Sequence, residues 1–317
     1  MLGLDVGGAN LKVAHESGAE IIYFPIWKKY LELERTLSSI AKKYNSKIAG
    51  VVITAELSDV FKNKDEGINF VSSVCKRVFE KVYFLDIYGN LKDEILDPRK
   101  FAASNWVASV KFLMMEGFSN FLFVDVGSTT SDLIPVTKKI EASLTDFERL
   151  KRDELIYFGI LRTPVFHILK RFSGARLAAE FFATTADVFL VTGDIKEEDY
   201  TCETADGKGK DKISCMRRLA RVLCCDLEEI GEKNVETFAF EVKKAMIDEL
   251  SKAIMEKFES YDLEKVIGCG IGEFLIEEAC RSAGVEYLAA SSIYKEYSKL
   301  FPAFAMLKLV ESSLKTS

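Results

Sequence analysis

Two segments of this chain carry an aspartate, a glycine-rich turn and short polar side chains in the same order. The residues concerned are Asp5, Gly7, Gly8, Asn10 and Lys12 in the first segment, and Asp125, Gly127, Ser128, Thr129, Thr130 and Asp132 in the second. A tight turn of glycine, serine and threonine can direct backbone N–H groups and hydroxyls at one anion. An aspartate just before such a turn can hold a hydrated Mg²⁺ that contacts the same anion. The pattern predicts a phosphorylated ligand, with Asp5 and Asp125 as metal ligands and the two turns, with Lys12, as diphosphate-binding groups.

Each turn joins two apolar runs, which predicts a β-hairpin at residues 1–15 and another at residues 120–137. The first hairpin leads into a third strand and then into helices and strands, in the order β-β-β-α-β-α-β-α, and this order restarts at Asn120. An internal repeat of this kind predicts an α/β protein of two lobes around a central cleft that holds the ligand. We place the lobes at residues 1–117 and 118–317, the second being enlarged.

Three other stretches of the sequence have patterns that predict their local structure. A proline at the start of an apolar, helix-periodic run predicts one continuous helix over residues 98–115. Apolar residues at every third or fourth position predict a long helix over residues 235–258. The charged, glycine-containing segment 203–211 is predicted to be flexible, and residues 206–212 are predicted to be either a solvated turn or a lid whose Lys208 and Lys210 close over the diphosphate.

The composition excludes several classes of protein. The chain has 317 residues, of which 48% are apolar and 29% charged, and a net charge of −6 without a basic block, which argues against nucleic acid as a partner. No apolar run approaches the roughly 18 residues of a membrane span, and the N-terminus leads straight into a strand, so we expect a cytoplasmic protein. Seven cysteines without a CxxC pair indicate reduced thiols, and the two isolated histidines disfavour a zinc site or a Ser-His-Asp triad.

Further polar residues are candidates for contact with a substrate. Glu56 and Asp59 follow an apolar strand and offer a carboxylate that could accept a proton, the structural alternative being acidic residues stabilised by a helix N-terminus. Ser104 and Asn105 form a polar pair within an apolar helix, and Arg162 follows an apolar strand. We predict that these three bind substrate, although the first two could equally pack a helix face.

The paired hairpins resemble the two phosphate motifs of the actin, sugar-kinase and Hsp70 ATPase superfamily. The resemblance implies that each lobe is ribonuclease-H-like, in an actin-like ATPase fold, and it places a third, nucleotide- or substrate-contacting motif at Gly270 and Gly272. Along nearly its whole length the chain also resembles the archaeal branch of the hydantoinase/oxoprolinase-related proteins. The stretches that carry this resemblance are residues 54–59 with 64–67, 103–108, 157–164 and 183–188.

The resemblance to that branch implies a transferase of methanofuran biosynthesis. Such an enzyme joins the phenol oxygen of γ-glutamyltyramine to the CH₂ group of an (aminomethyl)furan-methanol diphosphate and releases pyrophosphate. It implies Mg²⁺ as cofactor, no requirement for ATP, and an organic diphosphate and a phenolic amine as small-molecule partners, with a homo-oligomer left open. Glu56 or Asp59 would take the phenol proton, and Asp132 would assist the metal. The alternatives are an ATP-dependent kinase or amide hydrolase of the same fold, and a nucleotide-responsive scaffold without catalytic activity.

Overall fold

The computed structural model describes residues 1–316, which contain two β-sheets and a two-stranded ribbon among the helices. The strands, in chain order, are β1 Leu2–Gly7, β2 Asn10–His15, β3 Gly18–Tyr23, β4 Ile48–Thr54, β5 Lys81–Leu85, β6 Leu91–Lys92, β7 Phe121–Val126, β8 Ser131–Val136, β9 Leu155–Ile156, β10 Arg171–Phe172, β11 Ala175–Arg176, β12 Lys265–Cys269 and β13 Tyr287–Ala289.

The helices complete the inventory of elements. The α-helices are α1 Ile26–Lys29, α2 Leu33–Lys43, α3 Lys64–Val78, α4 Asn105–Met115, α5 Asp146–Lys151, α6 Val165–Ile168, α7 Thr185–Thr192, α8 Lys212–Val222, α9 Leu227–Ile230, α10 Glu232–Ser260, α11 Glu273–Ala283, α12 Ala290–Tyr294 and α13 Phe301–Thr316. Short 3-10 helices cover Tyr30–Glu32, Pro98–Phe101, Glu197–Asp199 and Lys295–Leu300. Within residues 1–316, each helix is too short or too polar to cross a lipid bilayer.

The chain divides into two compact units. Unit 1 comprises residues 1–119, residues 138–149 and the segment from Ala290 onward. Its six-stranded sheet has the order β3-β2-β1-β4-β5-β6, in which β1 pairs antiparallel with β2 and parallel with β4. Apolar residues of α2 and α3 pack with those of the sheet to form the core of this unit. The first glycine turn, which joins β1 to β2, therefore lies at the end of the central strand β1.

The last helix, α13, explains why the end of the chain belongs to unit 1. It packs on β1 and β4 at glycines whose missing side chains admit the helix. A Cβ atom built on Gly3 would lie 1.9 Å from the carbonyl oxygen of Ala303, and one on Gly50 would lie 2.8 Å from a methyl group of Val310. The sequence alone predicted a single boundary after residue 117, because nothing in its local pattern reveals this packing between distant segments.

Unit 2 comprises residues 120–137 and 150–289. Its five-stranded sheet has the order β13-β12-β7-β8-β9. Strand β7 pairs antiparallel with β8 and parallel with β12, as β1 does with β2 and β4. The repeat of the hairpin in the sequence is thus matched by a repeat of the sheet topology. Helix α10 covers the predicted residues 235–258 and extends beyond them at both ends.

The prediction of one continuous helix over residues 98–115 is wrong. A 3-10 helix ends at Phe101, and α4 begins only at Asn105. Between them Ala103 has a φ of +48°, in the left-handed region that a helix interior excludes. The hydroxyl of Ser104 donates a hydrogen bond to the carbonyl of Leu85 on β5, which fixes the break. The apolar periodicity continues across this point, so the sequence pattern alone does not show it.

Candidate functional site

The first hairpin contains a partly buried ion pair beside its turn. Asp5 on β1 lies directly opposite Lys12 on β2, and Lys12 Nζ lies 3.2 Å from Asp5 Oδ2. The hydroxyl of Thr54, at the end of β4, donates a hydrogen bond of 2.9 Å to Asp5 Oδ1. Because Asp5 is only 3% exposed and both its oxygens are engaged, the ammonium of Lys12 is held next to the turn.

Glycine is required for the first turn to close. A Cβ atom built on Gly7 would lie 2.8 Å from the carbonyl oxygen of Asn10, which is closer than real Cβ contacts come. One built on Gly8 would lie 3.1 Å from the hydroxyl oxygen of Ser58. A side chain at Gly7 would therefore open the turn that the sequence assigns to phosphate binding.

The second hairpin differs from the first in charge. Asp125 on β7 lies opposite Asp132 on β8, where the first hairpin has a lysine, and each aspartate is 6% exposed. Directly opposed side chains in an antiparallel pair share one face of the sheet, and like charges in this arrangement are unfavourable. Two carboxylates on one face fit a hard, oxygen-ligated cation such as Mg²⁺. Within residues 1–316, nowhere do three or more His, Cys, Asp or Glu side chains come together in a group that could hold a metal ion.

The turn that follows Asp125 is supported by residues 159–162. Three consecutive backbone N–H groups, from residues 160–162, donate hydrogen bonds of 2.9–3.1 Å to the carbonyls of Gly127 and Ser128. A Cβ atom built on Gly159 would lie 2.4 Å from the backbone nitrogen of Thr129, so only glycine allows this approach. The local sequence pattern does not reveal this supporting role, because Gly159 stands some 30 residues further along the chain.

The side chain of Arg162 also contacts this turn. Its Nη1 donates a hydrogen bond of 3.4 Å to the hydroxyl of Thr129, which lies 3.4 Å from the hydroxyl of Ser128. The turn itself is closed by a hydrogen bond of 2.9 Å from the N–H of Gly127 to the carbonyl of Thr130. A guanidinium beside hydroxyls in a glycine turn is suited to phosphate oxygens. The structure therefore brings together Arg162 and the turn, which the sequence had suggested separately.

Glu56 is a buried carboxylate two residues beyond the end of β4. It is 3% exposed, and its Oε2 atom has no hydrogen-bond partner among the residues that the structure describes. The pKa of Glu56 is raised to about 7, chiefly by burial; the charges of Asp146 and Asp5 act in the same direction, and Lys64 acts in the opposite one. A carboxyl group with a pKa near neutrality is suited to accept a proton at neutral pH.

The other predicted residues of unit 1 differ from Glu56 in their surroundings. Asp59, the alternative proton acceptor, is exposed to solvent. Ser104 is fully buried, and its hydroxyl is bonded to a backbone carbonyl, which favours a structural role. Asn105 is half-buried at the start of α4, where its carbonyl accepts a hydrogen bond from the hydroxyl of Ser109. Substrate binding by Ser104 and Asn105 stays a prediction.

The segment 203–211 is anchored to the rest of unit 2 by ion pairs. The carboxylate of Asp206 accepts hydrogen bonds from Arg218 at 3.1 Å and from Arg221 at 2.9 Å, both on α8. Arg218 is fully buried, and its Nε lies 2.8 Å from the carboxylate of the equally buried Asp187. A lid movement of this segment would have to break these contacts, so the structure favours a fixed turn.

The profile of the hydantoinase/oxoprolinase family matches residues 47–308. The chain belongs to the hydantoinase/oxoprolinase family. It is 37% identical, over an alignment 333 positions long, to a (4-{4-[2-(γ-L-glutamylamino)ethyl]phenoxymethyl}furan-2-yl)methanamine synthase of Methanocaldococcus jannaschii, and this alignment covers 99% of this chain and 98% of that protein. A protein of the same name from Methanococcus vannielii is 34% identical over 205 residues, which cover 62% of this chain and 92% of the relative.

A solved structure extends the comparison to the fold of this hydantoinase/oxoprolinase family member. A ROK family glucokinase from Streptomyces griseus, in complex with glucose and AMPPNP, superposes with a TM-score of 0.50 at 10% identity, covering 98% of each chain. This likeness concerns the fold alone. Together with the two sheets described above, it confirms the α/β class predicted from the sequence, and the profile match confirms the predicted family.

In this member of the hydantoinase/oxoprolinase family, Gly270 and Gly272 pack against the strand that carries Asp125. Gly270 has a φ of +92°, and a Cβ atom there would lie 2.4 Å from Asp125 Oδ1. A Cβ atom on Gly272 would lie 2.4 Å from a methyl group of Val126. Both glycines thus have a packing role beside the aspartate, and their contact with a substrate stays a prediction.

Replacing Gly270 with alanine should lower both stability and activity. The positive φ costs a non-glycine residue about 1–3 kcal/mol, and the new methyl group displaces the carboxylate of Asp125. Gly193→Ala is a matched control, because Gly193 has a φ of +83° with no atom within 4 Å of the added Cβ. Urea unfolding should show a loss in both variants, whereas turnover should fall only in Gly270→Ala; an equal effect of the two on turnover would contradict the role of Gly270.

Proposed function

We propose that this chain is a (4-{4-[2-(γ-L-glutamylamino)ethyl]phenoxymethyl}furan-2-yl)methanamine synthase. This transferase of methanofuran biosynthesis would condense (5-aminomethylfuran-3-yl)methyl diphosphate with γ-glutamyltyramine to form an ether. The observation that carries the proposal is the 37% identity to the M. jannaschii synthase over 99% of this chain and 98% of the relative. The names of both relatives support the synthase over the kinase or amide hydrolase that the sequence left open. The proposal includes a cytoplasmic location.

The proton transfer is assigned to Glu56 in unit 1. The O–H bond of the phenol breaks and its proton passes to the carboxylate of Glu56, while the phenol oxygen forms the new bond to the furan CH₂ group. The bond between that CH₂ group and the diphosphate breaks, and its electron pair leaves with pyrophosphate. Because a free phenol has a pKa of about 10, a base with a pKa of about 7 takes the proton as the C–O bond forms rather than beforehand.

The hairpin turns are assigned to the departing diphosphate. Each unit carries its own groups suited to phosphate oxygens: Lys12 and the Gly7–Gly8 turn in unit 1, and Arg162 and the Ser128–Thr129 turn, with N–H and hydroxyl donors, in unit 2. Donors that are already oriented toward a developing negative charge lower the barrier to its formation. Mg²⁺ held by Asp125 with Asp132 would add Lewis-acid stabilisation of the pyrophosphate. A metal contact of Asp5 stays a prediction, since Lys12 and Thr54 engage its two oxygens.

The direct test is the reaction itself. Purified protein, both substrates and MgCl₂ without nucleotide should yield one ether and one pyrophosphate per turnover, measured by mass spectrometry and a coupled pyrophosphate assay. Added ATP should leave the rate unchanged and should not be hydrolysed. Formation of ADP with a strict need for ATP would indicate the kinase alternative, and absence of the ether under both conditions would refute the proposal.

Replacing Asp125 with asparagine should lower kcat by at least about a hundredfold, because one of the two opposed carboxylates proposed to hold Mg²⁺ is lost. The Mg²⁺ concentration that gives half-maximal rate should rise as well. Asp248→Asn, at an exposed position on α10, is the control and should behave as the wild type. Unchanged turnover and an unchanged Mg²⁺ requirement in Asp125→Asn would refute the assignment.

A further inference from the structure

A cavity of about 370 Å³ lies within unit 1, apart from the glycine turn. Three segments form its wall: the start of α3 with Lys64 and Asp65, the 3-10 helix that carries Arg99, and residues 144–146, which include Asp146. A cavity of this size falls in the range of roughly 300–1,000 Å³ in which small ligands bind. None of the groups assigned above to the diphosphate lines it.

The charged groups around this cavity are of both signs. Arg99 Nε lies 3.3 Å from Asp65 Oδ1, and Asp146 is paired with Arg149 at 3.3 Å. Lys64 is half-buried and forms no salt bridge within the described part of the chain. A wall with two cations and two anions suits a ligand that itself carries both charges. It suits a diphosphate poorly, since that group carries negative charge alone.

An apolar strip adjoins the charged groups. It consists of Ala102, Ala103 and Leu144, and the side chain of Leu144 is 47% exposed although it borders the cavity. Such a strip can cover methylene groups and part of an aromatic ring, whose burial is favourable in proportion to their apolar area. The cavity is thus suited to a ligand with a zwitterionic end and an apolar body.

Helix α3, whose first residues line the cavity, also packs against the proposed base. Gly67, in the first turns of α3, packs against Glu56, since a Cβ atom there would lie 2.8 Å from Glu56 Cα. Lys64 and Asp146, which line the cavity, are also near enough to act on the charge of Glu56. A ligand that meets Lys64 and Asp146 therefore lies beside the segment of α3 that contacts Glu56.

We propose that this cavity binds the amino-acid end of γ-glutamyltyramine and sets the specificity for the phenolic substrate. The α-carboxylate meets Lys64 and Arg99, the α-ammonium meets Asp146, and the phenol extends toward Glu56. The inference rests on the proposed function. Both substrates in that function carry charges of both signs, but only the glutamyl compound has its ammonium and its carboxylate on one carbon atom, whereas the ammonium and the diphosphate of the furan compound are on separate substituents of the ring.

The experiment pairs a change of residue with a change of substrate. N-butyryltyramine keeps the phenol and the amide of γ-glutamyltyramine but lacks both charged groups. The wild type should use γ-glutamyltyramine with a KM at least about tenfold lower than for N-butyryltyramine, the effect of roughly one charge-assisted hydrogen bond. Arg99→Gln should raise the KM for γ-glutamyltyramine about tenfold and leave the KM for N-butyryltyramine and for the furan diphosphate unchanged.

Arg77→Gln is the matched control. Arg77 lies on α3, is exposed and forms an ion pair of 2.8 Å with Glu34, but it does not line the cavity. This variant should show wild-type KM values for every substrate. Lys64→Gln should reproduce the selective effect of Arg99→Gln, and calorimetric titration with γ-glutamyltyramine alone should show weaker binding to both, which keeps the test valid if a variant turns over poorly.

The outcomes separate the cavity from the proposed function. Failure of the wild type to form an ether with either acceptor would refute the function itself. If the ether forms but the wild type has equal KM values for the two acceptors, the cavity assignment is wrong and the function stands. The same conclusion would follow if Arg99→Gln raised both KM values alike, or if calorimetry gave wild-type affinity for γ-glutamyltyramine in both cavity variants.

Discussion

Ether formation should be almost abolished when Glu56 is replaced by glutamine, and the same variant should be more stable than the wild type above neutral pH. Glutamine keeps the shape of the side chain but cannot accept the phenol proton. Loss of a general base typically lowers the rate by about 10²–10⁴-fold. In the wild type, kcat/KM should rise with pH through about 7, where Glu56 loses its proton. The residual kcat/KM of Glu56→Gln should not show this rise with pH.

The gain in stability has the same origin as the raised pKa. Burial lifts the pKa of Glu56 from 4.5 to about 7 in the folded state, so the folded protein binds this proton more tightly than the unfolded chain does. The resulting stabilisation is fully present below pH 4.5 and is lost as the pH rises through 7. Above that pH the wild type carries a buried charge that glutamine lacks, a difference of up to about 3 kcal/mol in the free energy of unfolding.

Urea unfolding at pH 5 and pH 8 measures this difference. The stability of Glu56→Gln relative to the wild type should increase between the two pH values. Glu94→Gln, at an exposed position of unit 1, should match the wild type at both. Retained turnover in Glu56→Gln would contradict the assignment of the base, and a stability difference independent of pH would contradict the burial of an ionisable group there.

The paired hairpins could be predicted from the sequence because their signals are local. In each copy an apolar strand, an aspartate and a glycine turn lie within a dozen residues, and the structure gives both copies the same strand pairing. The difference in charge between the two hairpins is also visible in the sequence, since Lys12 stands seven residues after Asp5 and Asp132 stands seven residues after Asp125. A tight turn then determines which side chains face each other across the pair.

The choice between Glu56 and Asp59 could not be predicted from the sequence. Both are carboxylates shortly after β4, and only the packing of Glu56 against α3 buries one and leaves the other in solvent. The support of the second turn by Gly159 and the packing of α13 on Gly3 are likewise contacts between distant parts of the chain. Propensity and periodicity describe neighbours along the chain, so they do not report such contacts.

Loss of Arg218 should destabilise the protein far more than loss of Arg221, although both arginines bind Asp206. Arg218 is fully buried and also pairs with the buried Asp187 at 2.8 Å, whereas the side chain of Arg221 is 38% exposed. Burial raises the pKa of Asp187, and the guanidinium of Arg218 opposes that shift. Arg218→Met would therefore leave a buried carboxylate uncompensated, at a cost of about 3–5 kcal/mol. Arg221→Met removes only a partly exposed pair, worth less than about 1 kcal/mol.

Denaturant unfolding of the two variants tests this contrast, and unfolding of Arg218→Met at pH 5 and at pH 8 provides a second test. Without Arg218, the pKa of Asp187 should rise further, so the carboxyl group becomes protonated in the folded state and the cost of Arg218→Met should be smaller at pH 5 than at pH 8. Adding Asp187→Asn to Arg218→Met should recover part of the lost stability, because the unpaired charge is then gone. If Arg218→Met is as stable as Arg221→Met, or if the double variant is less stable than Arg218→Met alone, the buried pair does not have the role assigned to it.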